Sequence, residues 1–202
     1  QNIILEKEDY LATVYINRPK ALNALNAETL YELEAVIKDV KADANIKVMI
    51  ITGSGDKSFV AGADITFMLP LSPAEGRFFS DVGERVFRGL ELMEKPVIAA
   101  INGVVGGGGY SLALACDLKI ASKTAKFKQA YTSSGLVPDG GWFLFAPLMV
   151  GFNKTNEMLF LDPVIDAEQA VTIGLVNQIV EPEELEAASF EWATKIANGP
   201  SC

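Results

Sequence analysis

Short apolar runs recur along the chain and alternate with segments in which apolar residues return every three or four positions. The short runs, typical of strands, cover residues 3–5, 11–16, 48–52, 97–101, 118–121 and 175–180. After the second run, apolar residues follow helical spacing from Leu30 to Val40 behind Asn26, an N-cap residue, which predicts a helix over 27–42. This alternation of strands and helices predicts an α/β fold.

Two later segments carry helix start signals. Ser72 and Glu75 form a capping box in front of an amphipathic stretch that continues toward Lys95. Asp166 and Gln169 form a second capping pair, in front of a shorter helical pattern. Both segments therefore predict helices with defined beginnings.

The stretch 97–116 contains no charged residue and is long enough to cross a membrane. It also contains the glycine run Gly106–Gly109, which makes a continuous helix unfavourable. We interpret it as a buried strand, a glycine turn and a buried helix. No membrane contact is therefore expected.

The composition is typical of one globular domain, with 202 residues, 50% hydrophobic and 21% charged. No shift in composition marks a linker, and no internal repeat is evident. We expect a single domain over 1–202, with its core reaching about residue 180. The segment 182–198 is expected to be helical and to begin a C-terminal helical region.

The acidic net charge of −9 is unevenly distributed along the chain. Of the 17 Lys and Arg residues, only Lys154 and Lys195 lie beyond residue 128. Because no basic stripe is present, nucleic acid is not an expected partner. A smaller anion held by the first part of the chain remains possible.

The sequence contains no histidine, which excludes a Ser-His-Asp triad, a His-ligated zinc site and an imidazole base. Cys116 and Cys202 lie far apart without metal-ligand spacing, so neither a disulfide framework nor a metal site is expected. Cys116 follows an apolar run and is interpreted as a buried structural thiol. The first residues lack the pattern of a signal peptide, and we expect a cytoplasmic protein.

Two glycine-bearing turns are the candidate sites of chemistry. The first is the segment 61–64, and the second is 106–109, at the start of a predicted helix. Glycine allows close approach of a ligand to the backbone, and the first amides of a helix lack intrahelical partners. One amide from each turn can therefore bind a single oxygen from two sides, as an oxyanion hole. The alternative is that both turns are tight connections only.

Several segments, in order and over nearly the whole chain, resemble the enoyl-CoA hydratase/isomerase, or crotonase, family. The segments are INRPKALNALN (16–26), SFVAGADI (58–65), KPVIAAINGVVGGGGYSLALACDLKIAS (95–122), GLVPDGG (135–141) and DAEQAVTIGLVNQIVEP (166–182). The resemblance implies a crotonase-like (ClpP/crotonase) spiral of ββα units. It also implies an acyl-CoA thioester as substrate, no cofactor beyond that CoA, and assembly into homotrimers or hexamers.

The resemblance also assigns substrate contacts by matching position. Ala63 and Gly108 would supply the two oxyanion amides. The positions expected to contact CoA or the acyl thioester are Lys20, Ala21, Leu22, Asp64 and Ile65. Arg18 and Lys20 can also meet CoA phosphates, whereas Asp64 is expected to fix its own loop.

The chain departs from the hydratases of this family at two positions. Those enzymes carry two glutamates, where this sequence has Ser111 and Tyr131. We interpret Ser111 as a small filler, while Tyr131 can orient substrate, donate a proton or simply pack. Ordinary hydration is therefore not expected.

Asp139 is the remaining candidate for proton transfer. Several double-bond isomerases of the family are similar to this chain in having an acidic residue there. One carboxylate suffices to move a proton between the α and γ carbons of an enoyl thioester. Burial near Trp142, Phe143 and Phe145 would raise the pKa of Asp139. The alternative is that Asp139 is the N-cap of the following helix.

The sequence thus favours double-bond isomerisation on an acyl-CoA thioester. Hydration, nucleophilic attack by Asp139, decarboxylation and a catalytically silent acyl-CoA-binding subunit remain alternatives. Family members usually continue with further helices, so the C-terminal helical part is expected to be truncated at residue 202.

Overall fold

The computed structural model describes residues 1–199, so Cys202 lies outside the described residues. The strands are β1 (Ile3–Glu8), β2 (Leu11–Ile16), β3 (Val48–Gly53), β4 (Ser58–Val60), β5 (Val97–Ile101), β6 (Val104–Gly106), β7 (Leu118–Ser122), β8 (Lys126–Lys128), β9 (Ile165–Asp166) and β10 (Gln178–Val180). The helices are α1 (Ala27–Ala42), α2 (Ile65–Met68), α3 (Pro73–Glu91), α4 (Gly107–Ala115), α5 (Trp142–Val150), α6 (Phe152–Leu161), α7 (Ala167–Thr172) and α8 (Leu185–Ala197). Single 3-10 turns occupy Pro19–Ala21, Thr132–Ser134 and Pro182–Glu184.

The helix starts follow the local capping signals. The side chain of Asn26 accepts a hydrogen bond from the Thr29 amide at 2.9 Å, which fixes the beginning of α1 where the sequence predicted it. The capping boxes that precede α3 and α7 are both formed. Helix α3 nevertheless ends at Glu91, short of the predicted end near Lys95.

The strands form two sheets. The larger sheet has the order β1-β2-β3-β5-β7-β10, with β1 antiparallel to β2 and the later pairs parallel. All residues of β5 and all but one of β3 are buried, because helices cover both faces of the sheet. The smaller sheet has the order β4-β6-β8-β9.

Successive strand pairs give one strand to each sheet. Strands β3 and β4 do so, followed by α3, and β5 and β6 repeat the arrangement, followed by α4. This is the spiral of ββα units expected from the resemblance, which is thereby confirmed.

The smaller sheet was not predicted from the sequence. Strands β4, β6 and β8 are each three residues long, too short to show a period, and no strand was predicted at any of the three. The predicted strand over 175–180 is also shorter in the structure, where only Gln178–Val180 pairs with β7.

The hydrophobic core lies on both faces of the larger sheet. On one face, Leu33 of α1, Val86 of α3 and Ile51 of β3 belong to the main cluster. On the other face, Ile98 and Ala193 belong to a second cluster under α8. The main cluster extends to residues beside the glycine turns, so the candidate site is supported by the buried core.

The uncharged stretch 97–116 contains the predicted strand and helix, β5 and α4, and between them a second strand, β6, that was not predicted. Within residues 1–199, no helix is both long and apolar enough to cross a membrane. Cys116 ends this stretch as a buried free thiol, and burial raises its pKa to about 12. The structural role predicted for this thiol is confirmed.

Candidate active site

The two glycine-bearing turns meet at one edge of the smaller sheet. Strands β4 and β6 are parallel neighbours, so the loops after Val60 and Gly106 leave the sheet side by side. A Cβ added at Gly106 would lie 2.6 Å from the carbonyl oxygen of Ala61. Only glycine therefore permits this approach of the two backbones.

The amides of Ala63 and Gly108 are directed away from the strand pairing. On either side of Ala63, the Leu25 amide donates to the Gly62 carbonyl and the Asp64 amide donates to the Leu25 carbonyl, each at 2.8 Å. The Ala63 N–H takes no part in this pairing. Gly108 lies in the first turn of α4, where amides have no intrahelical acceptor. A Cβ at Gly108 would lie 3.8 Å from the Ala63 nitrogen, so the two residues adjoin.

An ion pair fixes the loop that carries Ala63. The guanidinium of Arg18 lies 2.8 Å from Oδ2 of Asp64 and also donates to the Ala24 carbonyl. The other carboxylate oxygen of Asp64 accepts from the Phe67 amide at 3.2 Å and caps α2. Burial raises the pKa of Asp64, but the Arg18 and Phe67 hydrogen bonds outweigh it and leave that pKa below its ordinary value. Arg18 thus holds this loop, and only 18% of its side chain is exposed.

The expected CoA-contacting segment lies beside this loop. Lys20 and Ala21 belong to the 3-10 turn, and Leu22 follows with a left-handed φ of 51°. The Leu22 carbonyl accepts from the Ala61 amide at 3.1 Å, which ties the segment to the first glycine turn. The Lys20 side chain is exposed, as is Ile65 at the start of α2.

Two connected cavities open in front of the two amides. The outer cavity, about 570 Å³, is lined by residues that include Ala63, Ile65 and Gly108. The inner cavity, about 320 Å³, is mostly apolar and shares Ala63, Gly108 and Tyr131 with the outer one. Among the described residues, Asp139 is the one carboxylate in the lining of either cavity.

Asp139 belongs to a hydrogen-bonded group with Ser111 and Tyr131. The Tyr131 hydroxyl lies 2.9 Å from Oδ1 of Asp139 and 2.9 Å from Oγ of Ser111. The Ser111 hydroxyl also lies 2.8 Å from the backbone carbonyl oxygen of Asp139. Ser111 and Tyr131 are both buried, so the positions of the two glutamates in the hydratases are occupied by a connected pair of hydroxyls.

Burial of the carboxyl raises the pKa of Asp139 above its ordinary value, and the hydrogen bond from Tyr131 offsets part of the rise. The residue as a whole remains exposed, because its outer side borders the cavities. Solvent in these cavities therefore limits the increase in the pKa of Asp139. An apolar ligand that displaces this solvent would increase the pKa further.

The aromatic surroundings of Asp139 differ from those predicted. Trp142 is fully buried and packs edge-on against Tyr110, and Phe143 packs against Trp142. The rings beside the turn are Phe87 of α3, which a Cβ at Gly140 would meet at 2.5 Å, and Phe145, which a Cβ at Gly141 would meet at 2.6 Å. Phe145 lines a cavity together with Asp139, in agreement with its predicted place. Helical spacing explains the difference, since the start of α5 directs Trp142 into the core.

Asp139 does not cap α5. The N-cap position is occupied by Gly141, which has a left-handed φ of 81° and no side-chain hydrogen bond. The Asp139 carboxylate instead contacts Tyr131, so the capping alternative is wrong.

A third cavity, about 320 Å³, lies on the other side of Asp139. Its lining includes Glu84, Arg88 and Glu91 of α3 together with Phe145. Asp139 lines both this charged cavity and the apolar inner one, together with Ser80 and Phe87.

Tyr131 is held in its protonated form. Burial raises the pKa of its phenol, and the negative charge of Asp139 raises it further. Tyr131 is thus a hydrogen-bond donor to the ionised carboxylate of Asp139. In the described part of the chain, no cluster of three or more His, Cys, Asp or Glu side chains could hold a metal ion.

Comparison with known proteins identifies relatives that match nearly the whole chain. Residues 6–202 match the family described as Enoyl-CoA hydratase/isomerase. The chain is 52% identical over 185 residues to a crotonyl-CoA hydratase of Syntrophomonas wolfei, covering 92% of this chain and 71% of that protein. It is 48% identical over 200 residues to a short-chain-enoyl-CoA hydratase of Clostridium acetobutylicum, covering 98% and 77%.

Solved structures agree with this assignment. The crystal structure of an enoyl-CoA hydratase from Bacillus anthracis superimposes with a TM-score of 0.97 at 32% identity, covering 100% of this chain and 78% of that one. A structure of Pseudomonas aeruginosa DspI superimposes with a TM-score of 0.95 at 33% identity, covering 99% and 76%. The resemblance inferred from the sequence is confirmed, and the chain belongs to the enoyl-CoA hydratase/isomerase family.

Proposed function

We propose that this acyl-CoA enzyme moves a carbon–carbon double bond, converting a 3-enoyl thioester into the conjugated 2-enoyl thioester. Asp139 is the proton carrier, and the amides of Ala63 and Gly108 form the oxyanion hole. The observation that carries the proposal is the lining of the inner cavity, where Asp139 is the one carboxylate and both amide-bearing residues face the same space. A single carboxylate is sufficient for this reaction, because the same group removes and returns the proton.

The steps balance without any other reactant. Asp139 takes a proton from the α carbon, and the electrons of that C–H bond move onto the thioester oxygen. The two amides stabilise the resulting enolate, an effect for which the loss of one donor typically costs about 10²–10³ in rate. Asp139 then returns the proton to the γ carbon, and the double bond re-forms between the α and β carbons.

Substrate contacts in this proposal follow the two cavities. Lys20, Ala21 and Leu22 contact CoA, because their segment is tied to the first glycine turn. Ile65 lies beside the acyl thioester and lines the outer cavity, while Asp64 holds the loop. Enoyl-CoA hydratases of this fold need no cofactor beyond the CoA of the substrate.

Hydration of a 2-enoyl thioester is the second candidate function. It is favoured by the names of similar proteins, a crotonyl-CoA hydratase and a short-chain-enoyl-CoA hydratase. In this reaction Asp139 would take a proton from water while the oxygen adds to the β carbon, and the α carbon would receive a proton. The pair Ser111 and Tyr131, which lacks a carboxylate, favours isomerisation over this alternative.

Parallel assays with a 3-enoyl-CoA and a 2-enoyl-CoA separate the two reactions. Isomerisation predicts a conjugated thioester from the 3-enoyl substrate, with a loss of about 10²-fold or more in Asp139→Asn. Asp81→Asn, an exposed carboxylate on α3, is the matched control and should retain the rate. A hydroxyacyl product from the 2-enoyl substrate alone would favour hydration. Acyl-CoA binding without turnover of either substrate would overturn both.

We further propose a homotrimer or homohexamer of single-domain subunits. Large apolar side chains remain exposed on α5 and α6, including Leu148, Phe152 and Phe160, each more than 70% exposed. Sedimentation analysis tests this assembly, and a monomer at micromolar concentration would contradict it.

A further inference from the structure

Three short oxygen–oxygen distances link Ser111, Tyr131 and Asp139 into a closed ring. Ser111 Oγ lies 2.9 Å from the Tyr131 hydroxyl, which lies 2.9 Å from Asp139 Oδ1. The ring closes through Asp139 itself, because its backbone oxygen lies 2.8 Å from Ser111 Oγ. Distances in this range are those of hydrogen-bonded oxygen pairs, in which one proton lies between the two atoms.

The number of available protons depends on the charge of Asp139. Ser111 and Tyr131 bring one hydroxyl proton each, and the backbone oxygen brings none. With an ionised Asp139, two protons must serve three contacts, and one oxygen pair is left without a hydrogen bond. With a protonated Asp139, Oδ1 donates to Tyr131, Tyr131 donates to Ser111, and Ser111 donates to the backbone oxygen. The protonated ring is therefore complete.

We propose that this ring senses the charge of Asp139 and that Tyr131 reverses its hydrogen bond when Asp139 ionises. Tyr131 donates to Ser111 while the carboxyl is protonated, and it donates to Oδ1 once the carboxylate forms. One proton leaves Oδ1 for solvent in this step, and the hydroxyl protons only rotate about their C–O bonds. The inference rests on the proposed role of Asp139 as proton carrier and names what controls its charge.

A second consequence concerns which oxygen reacts. Oδ1 is bound to Tyr131 in both states of the ring, whereas Oδ2 has no hydrogen-bond partner among residues 1–199. Once the ring has released its proton from Oδ1, Oδ2 of the ionised carboxylate is therefore the oxygen that takes a proton from the substrate, while Tyr131 keeps donating to Oδ1. Tyr131 acts as a positioning residue, because its hydrogen bond to Oδ1 fixes the carboxyl group and leaves Oδ2 available to the cavity.

The surroundings leave few other groups that could control this charge. The adjoining turn of α4 carries Ser111 and no ionisable group apart from the buried Tyr110. Helix α3 directs Glu84, Arg88 and Glu91 to the third cavity, and Arg88 pairs with Glu91 at 2.8 Å. Helix α5 contributes only apolar residues. Tyr131 itself keeps its proton, since burial raises the pKa of the phenol.

Two substitutions should move the pKa of Asp139 in opposite directions. Tyr131→Phe removes the donor that stabilises the carboxylate, so the pKa rises by about one unit or more. Ser111→Ala removes the acceptor that draws the Tyr131 proton away from Oδ1, so the carboxylate is favoured and the pKa falls. A purely structural role for both side chains would not produce opposite shifts.

The test is an NMR titration of the full chain labelled with ¹³C at the aspartate carboxyls. The Asp139 signal is assigned by its loss in Asp139→Asn. Tyr110→Phe is the control for the tyrosine, since Tyr110 is buried and its hydroxyl has no partner in the described part of the chain. Ser189→Ala is the control for the serine, because Ser189 is buried and donates to the Leu185 carbonyl far from the site.

The expected result is a higher midpoint in Tyr131→Phe, a lower midpoint in Ser111→Ala and no shift in either control. Shifts of the same sign in both variants, or no shift, would overturn the inference. Ser111→Ala alone decides the matter if Tyr131→Phe does not fold, because an unchanged or higher midpoint contradicts the ring. The titration needs no turnover, so absence of isomerase activity would remove the proposed function and leave this result standing.

Discussion

Arg18 and Asp64 form a partly buried ion pair across 46 positions of the sequence, with 2.8 Å between nitrogen and oxygen. The pair joins the end of the first hairpin to the loop that carries Ala63. The position of one proposed oxyanion amide thus depends on a side chain that does not touch the cavity lining.

Replacing Arg18 by Met should lower kcat about tenfold to a hundredfold, because a small displacement of the Ala63 amide weakens enolate stabilisation. Steady-state kinetics on a 3-enoyl-CoA measures the effect. Lys38→Met, which removes an exposed ion pair with Glu34 on α1, is the control and should retain kcat. An unchanged kcat in Arg18→Met would show that the loop holds its position without the pair.

Asp64 should make stability depend on pH in a defined direction. Its pKa in the folded protein lies below the ordinary value, so its ionised form stabilises the fold above the unfolded-state pKa. This contribution is lost as the pH falls through the folded-state pKa. Urea unfolding should therefore show wild type more stable than Asp64→Asn near neutral pH, with the difference disappearing in acid. A difference that is independent of pH would contradict this.

Asp139 should behave in the opposite way. Burial raises its pKa in the folded protein, so ionisation of Asp139 destabilises the fold once the pH exceeds its unfolded-state pKa. Asp139→Asn should then be more stable than wild type at neutral pH, although it is inactive, and equally stable in acid. Equilibrium unfolding at two pH values tests this, with Asp81→Asn as the exposed control.

Gly108 and Gly109 are adjacent but should respond differently to alanine. A Cβ at Gly108 meets only ordinary contacts, at 3.7 Å from Leu25 Cδ1 and 3.8 Å from the Ala63 nitrogen. A Cβ at Gly109 would lie 2.0 Å from the Val60 carbonyl oxygen. Gly108→Ala should therefore fold normally and lose activity, because its methyl group enters the oxyanion site. Gly109→Ala should lose about 2 kcal/mol or more of unfolding free energy. Thermal unfolding and kinetics together test the contrast, and full activity in Gly108→Ala would argue against the oxyanion assignment.

Tyr110→Phe should leave the unfolding free energy unchanged or raise it by about 1 kcal/mol, because the buried Tyr110 hydroxyl has no partner among residues 1–199. Tyr131→Phe should instead be destabilising, since it removes the hydrogen bond to Asp139. Urea denaturation compares the two. A clear loss of stability in Tyr110→Phe would mean that its hydroxyl has a partner.

Local signals were sufficient for much of the fold. Helix α1 was predicted with its bounds, because Asn26 and the apolar spacing from Leu30 to Val40 act within one element. Strands β4, β6 and β8 were missed, since three residues carry no readable period and their pairing partners lie far along the chain. The family resemblance supplied the spiral that periodicity could not.

The sequence predicted which residues belong to the candidate site, but not which residues they contact. Asp139 was identified from its motif, yet the rings of Trp142 and Phe143, which follow it in sequence, pack against each other, and Trp142 also packs against Tyr110. The partners of Asp139 are Tyr131 and Ser111, which α4 and the turn before α5 bring together. No local sequence pattern predicts these contacts, because they depend on how distant elements pack.

Asp139 lines both the inner cavity and the third cavity, so the proposed reaction should lose a measurable share of its transferred protons to solvent. A proton held on this carboxyl faces the acyl chain on one side and a charged, hydrated compartment on the other. Return to carbon then competes with exchange into bulk water. The fraction of isotopic label retained during a single turnover would accordingly report how well the bound acyl chain shields this carboxyl from solvent.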